Sequence, residues 1–229
     1  MNKKRVNHAY AKCSLFSSLD TATLNHLIAS SKVKSIPSSD CIFDIGDPSE
    51  ELYLLIEGYV SFQYYALNGK KVSLSIADKH MVIGDMELLD PTPRKSRAVA
   101  MTACEVAILP KLDFLRTCRE NPIIFEKLLK IYSRRLQQAT RIMLIKDDSS
   151  LLCSVLLNLS QRFGNTTPQG IEIQLSLSQE ELASYIGIPR QRLNRMLGDF
   201  KNNGWIQTKY NTITLLDEES MNQFLSQTA

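Results

Sequence analysis

The sequence predicts an α+β chain in two parts, an antiparallel β unit and a smaller helical unit closed by a hairpin, joined by one long helix. Three observations carry this. From about residue 33 to 110, short apolar runs give way to turn signals every 8 to 12 residues or so, the rhythm of a sandwich or barrel. After Pro110 the apolar spacing lengthens to that of helices. Beyond residue 177, a capped helix, a glycine, a second helix and two short strands follow one another. A chain of 229 residues is also long for one core, so two compact units are expected.

Leu15, Phe16, Leu19, Leu24, Leu27 and Ile28 predict a short helical lead-in, with Asp20 or Thr21 as its cap. Strands are expected near 41–45, 52–57, 59–65, 72–76, 97–101 and 105–109. Gly46-Asp47-Pro48 and Asn68-Gly69 punctuate them, and Asn-Gly suits a two-residue hairpin turn because both residues tolerate positive φ. Leu112 and Leu115 mark a short helix. Asn121-Pro122 then supplies a cap and a first-turn proline for a long one. Phe125, Leu129, Tyr132, Leu136, Ala139 and Met143 advance alternately by four and three, a heptad seam that Leu128, Ile131, Ile142 and Ile145 widen. This helix can lie on its own β unit, join two subunits as a coiled coil, or do both.

The polar run 146–150 predicts a hinge, followed by a helix ending near Gly164 and an alternating strand at 171–175. Ser178 and Glu181 form a capping box that opens a helix through Ile186. Gly187 breaks it and Pro189 starts the next. Strands at 205–209 and 212–216 close a hairpin across Tyr210-Asn211. The order is that of a winged helix-turn-helix. The expected domains are therefore 1–120, 121–146 and 147–229.

Composition narrows the function. No apolar run approaches the roughly 20 residues of a membrane span, and the basic start lacks the apolar stretch of a signal peptide, so a cytoplasmic protein without membrane attachment is expected. Five cysteines at 13, 41, 104, 118 and 153 match neither a disulfide framework nor a Cys-x-x-Cys metal site and predict buried thiols. There is no Ser/His/Asp or Cys/His arrangement and no phosphate-loop glycine pattern, and the three histidines lack metal spacing, so an enzyme is not expected. Net charge is +3, and the C-terminal 83 residues carry 6 basic against 9 acidic side chains, so bulk charge does not point to nucleic acid.

The local pattern does. Wound at about 100° per residue from Arg190, Leu193, Met196, Leu197 and Phe200 share one side of the helix from Pro189 to Lys201. Arg190, Gln191, Asn194, Arg195 and Gly198 share the other. Arginine can grip guanine O6 and N7, and glutamine the N6 and N7 of adenine. Arg192 is expected to point to the side, toward phosphate, and Ser178, Gln179 and the wing residue Lys209 are further candidates for backbone contacts. The competing reading is a cytoplasmic ligand-binding module whose winged helix meets protein instead of DNA.

Nearly the whole chain resembles the Crp/Fnr superfamily of bacterial transcription regulators. The resemblance lies in residues 182–195, where the family pattern Arg-Glu-x-x-x-Arg reads Arg190-Gln191-Arg192-Leu193-Asn194-Arg195. It extends to 43–47, 52–58, 68–72 and 83–89 in the β unit. It implies an N-terminal jelly-roll-like β-roll of the cyclic-nucleotide-binding type, a long dimerisation helix and a homodimer that binds double-stranded DNA. RNA polymerase is an implied partner if the protein activates. Arg190 and Arg195 would read guanines, while Gln191 departs from the family glutamate.

The family's phosphate cassette, Gly-Glu and Arg-Ser-Ala, reads here as Gly84-Asp85 and Arg94-Lys95-Ser96-Arg97-Ala98. By resemblance Gly84, Asp85, Arg94, Lys95, Arg97 and Thr140 would form an effector site. Asp85 is a methylene short and Lys95 replaces a small residue, so a pocket that has lost its cyclic nucleotide is expected. An iron-sulfur cluster is not expected from Cys13 alone, nor haem from His80, and cysteine redox sensing would fall to Cys13, Cys41 or Cys118.

Overall fold

The computed structural model describes residues 3–65, 71–89 and 92–228, and the chain divides into two compact units, Met1–Arg134 and Arg135–Ala229. The first contains strands β1 (Lys32–Ile36), β2 (Cys41–Phe43), β3 (Glu51–Glu57), β4 (Val60–Tyr65), β5 (Lys71–Ala77), β6 (Val82–Ile83), β7 (Arg97–Ala100) and β8 (Cys104–Pro110). They form two four-stranded antiparallel sheets, ordered β1-β8-β3-β6 and β2-β7-β4-β5. Helices α1 (Lys3–Lys12), α2 (Thr21–Ser30) and α3 (Lys111–Glu120) form the unit's helical layer with the first half of α4 (Ile123–Leu144), a helix that runs across the division at Arg134.

Strand β3 explains why two cores form. Successive side chains point to opposite faces. Leu52, Leu54 and Ile56 pack with Tyr10, Phe16, Leu27, Phe114 and Leu128 of the helical layer, and Tyr53 and Leu55 pack with Phe43, Val60, Ala98 and Val106 inside the roll. Each fully buried Leu or Phe contributes about 1.5–3 kcal/mol, so a strand buried on both faces does the most to hold the layers together.

Two elements stand where the sequence pattern announces none, and two expectations are corrected. Lys3–Lys12 is a helix. Its Val6, Ala9 and Tyr10 are buried, but polar residues surround that narrow stripe and hide its period. Lys32–Ile36 is an edge strand whose exposed lysines keep the edge from pairing further. Asn121 does not cap α4. Its side-chain amide donates to the Thr117 carbonyl at 3.2 Å, finishing α3, and α4 starts at Ile123 after Pro122. Four cysteines are buried thiols but Cys41, on the edge strand β2, is exposed. The expected turn at Asn68-Gly69 lies outside the described residues.

The second unit contains α5 (Asp148–Phe163), β9 (Gly164–Thr167), β10 (Gly170–Ile173), α6 (Gln179–Ile186), α7 (Arg190–Asn202), β11 (Ile206–Lys209), β12 (Thr212–Leu215) and α8 (Glu218–Thr228). One sheet, ordered β11-β12-β10-β9, carries the hairpin. Strand β9 occupies part of 165–170, which reads as turns because Gly, Asn, Thr, Pro and Gln dominate it. Helix α8 is also absent from the sequence reading. It covers α7 through Phe224, 5.2 Å from Trp205 and 6.3 Å from Phe200 between ring centroids, and Met221 is fully buried. Among the described residues no helix is long and apolar enough to cross a membrane.

Candidate DNA interface and the arginine of the β-roll

The recognition element is assembled by local rules. Ser178 and Glu181 make the full capping box: the Ser178 hydroxyl accepts from the Glu181 N–H at 3.2 Å, and the Glu181 carboxylate accepts from the Ser178 N–H at 2.8 Å. Helix α6 ends on Gly187 with φ +84, and the N–H groups of Gly187 and Ile188 both donate to the Ala183 carbonyl at 2.9 and 3.0 Å. No heavy atom lies within 4 Å of where a Cβ at 187 would stand. Backbone conformation alone, not space, requires the glycine there. Pro189 then precedes the first turn of α7.

Helix α7 buries Leu193, Met196, Leu197 and Phe200, and leaves Arg190, Gln191, Arg192, Asn194 and Arg195 exposed. Nothing stands within 4 Å of a Cβ at Gly198, so the outer face is flat around it. Gln191, Arg192 and Arg195 line an open groove of about 440 Å³. Gln179 and Lys209 are exposed, Ser178 is half-buried in its capping box, and Tyr210 at the hairpin tip is 96% exposed with φ +54.

Arg192 is not simply solvated, because its Nε lies 2.6 Å from Oδ2 of Asp148, the first residue of α5. Sequence reading missed this pair; the partners are 44 positions apart and no periodicity links them. Next to it, Asp147 caps α5 by accepting from the Ser150 N–H at 2.8 Å, and hydrogen bonding from Ser150 holds its carboxyl below the usual range.

In the roll the residues implied as an effector site are scattered in role. Arg94 is 2% exposed and its guanidinium is committed inward. Nη1 donates to the Gly84 carbonyl at 2.8 Å and to Glu87 Oε2 at 3.2 Å, Nη2 donates to the Glu51 carbonyl, and Cζ stands 4.4 Å from the Phe43 ring centroid. A Cβ at Gly84, where φ is +78, would come within 2.8 Å of Nη1. The Arg94 backbone is held on both sides, its N–H on the Asp47 carbonyl and its carbonyl on the Gly46 N–H, both at 2.9 Å.

Asp85 is buried and its carbonyl accepts from the Tyr132 hydroxyl at 2.8 Å. The Lys95 side chain is exposed, whereas its N–H donates to Glu87 Oε1 at 3.2 Å. Arg97 pairs with Asp44 at 3.1 Å near the surface. The Thr140 hydroxyl donates back to the Leu136 carbonyl within α4 at 3.0 Å. Burial pushes the thiols of Cys13 and Cys118 up to about 11 and about 12, away from reactive thiolate. Among the described residues no group of three or more His, Cys, Asp or Glu could hold a metal ion.

Comparison with known proteins agrees with both halves. The family described as "Cyclic nucleotide-binding domain" matches residues 33–121, and "Crp-like helix-turn-helix domain" matches residues 152–224. The chain is 31% identical over 189 residues to the global nitrogen regulator of Nostoc sp. (strain PCC 7120), covering 80% of this chain and 84% of that protein. It is 27% identical over 220 residues to the CRP-like cAMP-activated global transcriptional regulator of Mycobacterium tuberculosis, covering 94% and 98%. The c-di-GMP-responsive global regulator CLP of Xanthomonas campestris shares the fold, with a TM-score of 0.73 at 24% identity over 86% of this chain and 100% of that one. The chain belongs to the Crp/Fnr superfamily of transcription regulators.

Proposed function

We propose that the protein regulates transcription as a cytoplasmic homodimer that reads a roughly palindromic duplex through the outer face of α7. The carrying observation is that face: Arg190, Gln191, Asn194 and Arg195 exposed together, on a helix anchored by four buried apolar side chains. Arg190 and Arg195 contact guanine edges in the major groove, and Gln191 and Asn194 read adjacent bases. Arg192, Ser178, Gln179 and Lys209 hold phosphates and set register without reading sequence.

Dimerisation falls to α4. Leu129, Leu136 and Met143 of the seam are 68%, 69% and 83% exposed, whereas Ile124 and Leu128 are buried on the chain's own core. The seam is shared: its Phe125 and Tyr132 pack on the chain's own core, and the exposed Leu129, Leu136 and Met143 suit a second copy. In this reading residues 1–120 are the sensor roll, 121–146 the dimer helix and 147–229 the DNA-binding domain. The protein works by binding, not catalysis, with RNA polymerase as the further partner where it activates. A signal at the roll would alter the spacing of the two recognition helices.

Selection of bound duplexes from a random pool tests this. The expected product is an inverted repeat whose half-sites are centred about 34 Å, one helical turn, apart. A pool with no enriched repeat would overturn it. Leu136→Glu should yield monomers in sedimentation and lose the selected site.

A further inference from the structure

Arg94 and the Lys95 N–H converge on one carboxylate. Glu87 Oε2 accepts from the guanidinium at 3.2 Å and Oε1 from the Lys95 N–H at 3.2 Å. The Arg94 and Glu87 side chains are 1% and 6% exposed, so this is a dry ion pair. A guanidinium beside a backbone N–H is an oxyanion site in both charge and geometry. The Glu87 turn is itself pinned, because Lys111 Nζ donates to the Glu87 carbonyl at 3.0 Å.

A cyclic phosphate does not fit at this guanidinium. Nη1 donates to both Gly84 and Glu87, Nη2 donates to the Glu51 carbonyl, and the remaining Nε edge belongs to a side chain 1% exposed whose charge Glu87 already meets. Bringing a second anion alongside Glu87 would also bury like charges together.

We infer that Glu87 is a built-in anion for the β-roll: its carboxylate takes the place at Arg94 and the Lys95 N–H that a bound oxyanion would otherwise take. The roll is therefore set by its own side chain, and cyclic nucleotides do not engage it through Arg94. This goes beyond the DNA-binding reading and does not depend on it, because the test uses no DNA.

The experiment is chemical rescue on the full chain. Glu87→Ala should lower the melting temperature by about 10 °C, because it leaves a buried charge unpaired. Acetate or inorganic phosphate should restore the loss saturably, at concentrations of the same anions and ionic strength that leave the wild type unmoved. Calorimetric titration of wild type with cyclic AMP should give no saturable heat. If Glu87→Ala does not fold, Glu87→Ala/Arg94→Met, which removes both charges, should fold and ignore acetate and phosphate. The inference is overturned if wild type and Glu87→Ala respond equally to acetate and phosphate, if the double variant is stabilised by them, or if wild type binds cyclic AMP in a manner that Arg94→Met abolishes.

Discussion

Arg94 and Arg190 are the same side chain in opposite surroundings. Arg94 lies inside the roll with its terminal nitrogens bonded to Gly84, Glu87 and Glu51 and its cation over Phe43. Arg190 lies exposed at the start of α7, in no ion pair among the described residues. A buried guanidinium is held by its own protein and its loss is felt in stability. An exposed one on a rigid helix has its donors available to a ligand, so its loss is felt in binding. The lesson is that arginine in a family motif does not by itself announce a ligand; its accessible donors do.

The largest expected effect tests the buried side. Arg94→Ala strands the Glu87 carboxylate and should cost about 3–5 kcal/mol of stability, read as a fall in the melting temperature. A change within about 0.5 kcal/mol would place Arg94 at the surface and erase the contrast. Next comes the exposed side. Gln191→Glu exchanges a donor-and-acceptor amide for an acceptor suited to cytosine N4, and should move base preference at one position of each half-site by about 1–3 kcal/mol with stability unchanged. Repeated site selection checks it.

Gly187→Ala should cost about 1–2 kcal/mol in denaturant unfolding because the left-handed conformation at φ +84 is strained for any side chain. Gly198→Ala, inside α7 with open space for a Cβ, should instead gain up to about 1 kcal/mol from helix propensity, and an equal loss at both sites would contradict the turn as the cause. Smaller still is the Asp148–Arg192 pair, a partly exposed contact worth about 0–1 kcal/mol. Asp148→Asn removes the carboxylate that competes with phosphate for Arg192 and should tighten DNA a few-fold. Weaker binding would show that Asp148 aims Arg192 instead of withholding it.

The smallest effect concerns pH. The Asp147 carboxyl is held low in the folded chain, so its cap contributes stability at neutral pH that is lost as pH falls through its folded value, below about 4. Asp147→Ala should flatten that acid limb of the stability curve.

Much of this was legible in advance because the governing interactions are local. The capping box at Ser178, the turn at Gly187 and the alternation of anchors and donors along α7 each need fewer than 15 residues to recognise. Strands β3, β4, β7 and β8 were visible for the same reason. Helices α1 and α8 were not, since each is mostly polar and gains its place by covering a core built elsewhere. The exposed state of Cys41 follows from its edge position, a property of sheet order that no single strand carries. The family motif placed Arg94 among effector residues. Its pairing with Glu87 depends on how the turn after β6 folds back, and Glu87 stands where the motif looks only at Gly84 and Asp85.

The most direct test of the central claim is the ratio of affinities for the selected duplex and a scrambled one, measured for wild type and for Arg190→Ala/Arg195→Ala. Two lost base contacts should lower that ratio by about two orders of magnitude or more, with the melting temperature unchanged. An unaltered ratio in a folded double variant would contradict the account.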